Sequence, residues 1–200
     1  RNMPDNVRKG FEKRLLDESG SPSDADARYS IKILRVLDSP KVSSAAFDVI
    51  FNHNVNNRPR KPGTLKLAHH IIGTHGTMED IENVWGPRVS RELEPYVFDF
   101  LKGVDSRTTY FQNTEDNVNL AMRLISFKDY VVQYHGHYDR YETDKTKKEL
   151  EIVNNLIKKF ISNPQVNAQL KEFIRNNILG DKRAQELLLN LDDPELTIEM

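Results

Sequence analysis

Cysteine is absent from these 200 residues, which excludes disulfides, thiolate catalysis and the commoner structural zinc sites together. Long apolar runs are missing too. Nothing approaches the roughly 18 uninterrupted residues that a membrane span requires, and the mean hydropathy is −0.65, so the chain reads as soluble. A surplus of charge of either sign is the third absence. A formal net charge of −1 removes the simple electrostatic route to tight nucleic-acid binding, because affinity for phosphates comes largely from Lys and Arg neutralising them. Only a local patch can restore it. Glycine-rich phosphate loops, a GxSxG elbow and HExxH are also lacking, so the expectation is a protein that is not an enzyme and carries no cofactor.

What remains is a helical vocabulary. Hydrophobic residues make up 38% and charged residues 30%, enough for one sizeable core or a short array of repeats with a solvated exterior. The stretch Thr64 to Trp85 is the most informative. It reads as two amphipathic helices joined by a tight turn, with Leu65, Leu67, Ala68, Ile71 and Ile72 on the first apolar face and Ile81, Val84 and Trp85 on the second. Gly73 and Gly76 offer a left-handed cap for the first helix, and Thr77 with Asp80 offers a capping box for the second. Further starts are read at Pro4, at Ser23, at Ser39-Pro40, at Glu94-Pro95, at Thr114 and at Asn163-Pro164. Residues 52–63 read as a loop. Tyr130 to Tyr141 is strand-like by propensity, yet a lone strand would leave its hydrogen bonds unmade, so a helix or an irregular connection is expected there.

Pairing successive helices gives units that open near Pro4, Ser39, Thr77 and Thr114, about 35, 38 and 37 residues apart, with a last one near Asn163 after a longer interval. The expected fold is therefore all-α: stacked antiparallel helix hairpins in a short solenoid-like array, or alternatively a compact multi-helix bundle. A single helical domain over 1–191 is expected, followed by an acidic tail over 192–200. Because the first residue is Arg1 and not Met, the chain is expected to be a processed product or a piece of something longer.

The Thr64–Trp85 segment resembles a pentatricopeptide repeat unit. A Thr opens the first helix, Leu65 and Ala68 face inward, Gly76 stands at the turn, and Val84-Trp85 closes the second helix after acidic residues. Pro40 to Ala45 and Ile178 to Ala184 echo the same turn. The resemblance implies binding of single-stranded RNA in an organelle, here a mitochondrion, in support of transcript stabilisation, processing or translation. The residue in the family's base-reading position is Leu67, with Ile31 in the preceding copy. Neither has atoms that hydrogen-bond a base edge, which points to looser contact with the backbone. The alternative partner is another protein, docked on an exposed apolar face of a scaffold.

The candidate RNA-binding residues are Arg58, Arg60 and Lys61, in the loop that leads into Thr64–Trp85, with Lys66 and His70 just beyond. There they could meet phosphates where free N–H groups at a helix start also favour anions. A metal site is not expected. His135-Gly136-His137-Tyr138-Asp139 resembles the HxHxD core of metallo-β-lactamase-like hydrolases, but Arg140 stands where a further His is needed. His69 and His70, being adjacent on a helix, project about 100° apart and cannot easily share one ion.

Overall fold

The computed structural model describes residues 3–56, 58–86, 94–138 and 144–190; of residues 94, 134–138 and 144–146 it describes the backbone alone. The fold is all-α, with no strand among the described residues. The helices are α1 (Asp5–Ser19), α2 (Asp24–Val36), α3 (Val42–Asn54), α4 (Pro62–His75), α5 (Met78–Trp85), α6 (Val97–Asp105), α7 (Thr114–Tyr138), α8 (Asp144–Ile161), α9 (Pro164–Asn177) and α10 (Lys182–Asn190), with a single 3-10 turn at Glu94–Tyr96. None of them, among the described residues, is long and apolar enough to cross a membrane. The chain divides into two compact units, 1–107 and 108–200. Residues 191–200, the acidic tail included, lie outside the described residues.

Helix starts follow from local chemistry. Ser23 accepts the N–H of Asp26 at α2, and Asn163 accepts those of Gln165 and Val166 at α9. Thr77 and Asp80 form the reciprocal capping box of α5. Two starts differ from expectation. At α7 the cap is Asn113, whose side-chain oxygen accepts the Asp116 N–H at 2.7 Å, and not Thr114. At Ser39-Pro40 the helix begins only at Val42, because Ser39 is buried and turns its hydroxyl to the Lys41 N–H. The ambiguous stretch from Tyr130 is helical as far as Tyr138.

The first unit is a two-layer stack built from α1 to α6. α1 packs on α2 and α3 on α4, while α1 also meets α3, α2 meets α4, α3 meets α5 and α4 meets α6. Odd helices thus form one layer and even helices the other. Side-chain contacts fix the direction within each layer. Arg28 lies over Gly63 and Arg35 touches His70, so α2 and α4 run parallel. His69 stacks on Tyr96 and Arg107 bonds the Gly73 and Gly76 carbonyls, so the course of the chain through α6 follows α4 likewise.

The α4–α6 contact is the most extensive in the unit, and two glycines explain it. A Cβ on Gly73 would overlap the Phe100 carbonyl oxygen, and one on Gly103 would overlap that of His70. The backbones meet with no side chain between them. Gly73 therefore does not stop α4 as expected; the helix runs through it to His75, and Gly76 ends it in an extended conformation, φ −62° and ψ 143°, without a left-handed turn. α4 touches α5 only lightly. The expected pairing of Thr64–Trp85 into a self-contained hairpin gives way, because Gly73 opens α4 to α6 and the face of α4 is spent on α3 and α6. Leu65, Ala68, Ile71, Ile72, Ile81, Trp85, Phe100 and Leu101 are fully buried in this core.

The second unit is organised differently. α7 packs against α8, α9 and α10 alike, as the spine of a small bundle. Asn117, itself fully buried, donates to the Phe111 carbonyl and to Gln169 and accepts the Phe111 N–H, so its amide is satisfied on both sides. Arg183 ties α10 to Asp181, Glu115 and Asn119. The carboxylates of Asp181 and Glu115 hold its guanidinium in the charged state.

Candidate functional site

The anion position at the start of α4 is filled by the protein itself. Asp24, in the first turn of α2, accepts the Lys61 N–H at 2.9 Å and the Thr64 hydroxyl at 3.1 Å. Its carboxylate sits where free N–H groups and the helix dipole favour negative charge. Lys61 is exposed at this junction.

Arg58 and Arg60 turn inward. The Arg58 guanidinium donates to the Gly20 carbonyl, and Arg60, only 5% exposed, reaches the Ser19 carbonyl at 3.5 Å while its own N–H bonds His53 Nδ1 at 3.2 Å. Both thus face the carbonyl end of α1, where a cation is favoured. Burial pulls the Arg60 guanidinium below its ordinary value, the Asp24 carboxylate opposing and Arg58 assisting. The same device recurs: Arg8 donates to the Leu37 carbonyl beyond α2, and Arg107 to the carbonyls of Gly73 and Gly76 at the end of α4. Four arginines of this unit are thereby committed to helix ends.

Lys66 and His70 lie elsewhere, on the open side of the even layer. Gly63, Lys66 and His70 share one face of α4 by their spacing of three and four. Arg28 reaches the first of them and Arg35 the last, Nη2 to Nε2 at 3.3 Å. Lys32, between Arg28 and Arg35, therefore lies alongside Lys66. The five groups Arg28, Lys32, Arg35, Lys66 and His70 line one seam between two parallel helices. Among the described residues, none of these Lys and Arg side chains is paired with a carboxylate, in contrast to Arg8, Arg14 and Arg183. Burial lowers the pKa of His70, and Arg35 adds to this, while the backbone and charge of Asp99 oppose it. A neutral ring is what the Arg35 contact needs, since the guanidinium can only donate.

The sequence picks therefore separate into two groups, Arg58 and Arg60 at the α1 terminus and Lys66 and His70 on the seam, with Lys61 at the junction between them. Arg28, Lys32 and Arg35 escaped sequence reading. Their signal is the 4-and-3 spacing on one face of α2, a helix whose only acids, Asp24 and Asp26, lie in its first turn. The contact with α4 that gives the spacing meaning is tertiary. Of the two residues that the resemblance to a pentatricopeptide unit would place as base readers, Ile31 is fully buried and Leu67 half-buried.

His69 is the other unusual group. It is 1% exposed, stacked flat on Tyr96 at 4.9 Å and tilted on Trp85 at 5.1 Å, and its Nδ1 has no hydrogen-bond partner. Burial, with His53 adding a little, drives its pKa from 6.5 to about 3. Its place is in the core. No group of three or more His, Asp or Glu side chains suited to a metal ion occurs among the described residues, and the side chains of His135 and His137 lie outside them. No protein-family model, no curated protein and no solved structure matches this chain.

Proposed function

We propose that the chain is an RNA-associated helical-repeat protein whose first unit holds single-stranded RNA against the α2–α4 face, supporting transcript stabilisation, processing or translation. The observation that carries this reading is the set of cations on that face that have no carboxylate partner among the described residues, Arg28, Lys32, Arg35 and Lys66, on two adjacent helices with no acid beyond the first turn of α2. A chain with a net charge of −1 can attract a polyanion only through such segregation. The mitochondrial setting within this proposal comes from the likeness of Thr64–Trp85 to a pentatricopeptide unit.

A protein-interaction scaffold is the second reading, favoured by Val7 at 51%, Tyr29 at 57% and Val36 at 82% exposure on the first hairpin. An amphipathic helix could lie along such residues. Fluorescence anisotropy with labelled single-stranded RNA across a salt series tests the choice. Micromolar or tighter binding that weakens steeply with salt is the expected result. Absence of binding at low salt removes the RNA reading and leaves the scaffold.

A further inference from the structure

We infer, on the RNA reading above, that the α2–α4 seam is a phosphodiester track that grips the backbone of a single strand and leaves its bases unread. Three features lead there. The first is spacing: Arg28, Lys32 and Arg35 rise along α2 by about 6 and then 4.5 Å at 1.5 Å per residue, a ladder of cations with Lys66 and His70 opposite on α4. The second is that the residues between the cations are poor in groups that could discriminate a base edge. Ala25, Val36, Gly63 and Leu67 bring no side-chain donor or acceptor, and Tyr29, 57% exposed on the same stripe as Ala25 and Val36, brings a single hydroxyl and a ring on which any base can stack. Thr74 spends its hydroxyl on the His70 carbonyl at 2.9 Å, and His70 Nε2 is engaged by Arg35. The third is access. Arg28, Lys32, Arg35 and Lys66 are all exposed, and with no side chain on Gly63 the Arg28 guanidinium lies directly over the α4 backbone, at van der Waals distance from where a Cβ would stand.

Charge without hydrogen-bonding variety gives affinity without sequence preference. The track should bind any flexible polyphosphate diester or anhydride by its charge spacing alone. The test uses short labelled RNA strands of three unrelated unstructured sequences, with sodium polyphosphate as competitor, on the full chain and on the variant carrying Arg28→Ala, Lys32→Ala, Arg35→Ala and Lys66→Ala. All four side chains lie on the surface of the seam, and circular dichroism confirms that the variant is folded. Expected are affinities within about threefold across the three sequences, competition by polyphosphate, and a slope of log affinity against log salt that falls by about 3 in the variant, at roughly 0.7 per cation removed from a single strand. Substituting Lys9→Ala and Lys13→Ala, exposed cations on α1, leaves the slope as it was.

A tenfold or greater spread between sequences, or an unchanged slope in the fourfold variant, overturns the track while RNA binding itself stands. Polyphosphate binding that depends on the four cations, with no RNA binding, overturns the RNA reading and keeps the track. Failure of both ligands to bind overturns both.

Discussion

At the level of single residues, the side chains that matter most to this fold are the ones that carry no charge where charge would be ordinary, or no side chain at all. His69 is neutral because its ring is enclosed by Trp85 and Tyr96. With a pKa of about 3 in the fold and 6.5 in the open chain, it gives the unfolded state the greater proton affinity. Its contribution is complete above pH 6.5 and drains away as the pH falls towards 3. Between pH 7.5 and 5.5 this amounts to about 1.4 kcal/mol. Urea denaturation of the protein and of His69→Phe at both pH values checks it: the variant should lose less stability on acidification by that amount, and equal losses would refute the assignment. Gly73→Ala should be worse than its size suggests, costing about 3 kcal/mol, because the new methyl meets backbone that has no rotamer to turn away. Gly10→Ala, with nothing within 4 Å of the added carbon, should instead raise the urea midpoint slightly. Arg60→Ala belongs to the same scale. It should lower the melting temperature while leaving RNA affinity unaltered, since the guanidinium faces the Ser19 carbonyl and not solvent.

At the scale of the element, what could be read from sequence was whatever is decided within four or five residues. Ser23, Asn163 and the Thr77–Asp80 box are legible because a cap bonds its own helix. Thr77→Ala should cost about 1 kcal/mol, felt keenly by a helix of only 8 residues; an unchanged thermal midpoint would show that α5 is held by Trp85 and Ile81 alone. Ends and pairings were less legible. α4 passes through Gly73 because α6 needs a gap there, and that demand arises 30 residues away in Gly103. The start of α4 illustrates the same limit. Free N–H groups could be foreseen, but not that Asp24, 37 residues earlier, would occupy them. Asp24→Ala should accordingly destabilise the unit by about 1 kcal/mol, the usual worth of an N-terminal cap.

At the scale of the whole chain, the all-α class was legible from the helical period of its apolar residues. The division at Arg107 was not. Both halves use the same helix lengths and loop signals, and only the contacts of α7 with all three of its companions mark the second as a bundle. Each half has its own buried core, with Phe100 and Trp85 in one and Phe127 and Phe160 in the other. Fragments 1–107 and 108–200 expressed separately should each give a helical spectrum and a cooperative melt; a fragment without helicity would show that its core is not self-sufficient. The arginines at the helix ends add something about how the first half comes apart. Helices stacked in layers can open locally from an exposed end. Here Arg58 and Arg60 clasp the loop before α4 to the end of α1, and Arg107 clasps the end of α6 to that of α4, so no outer helix can peel off without tearing a guanidinium from its neighbour, and heating should dissolve the unit in one step.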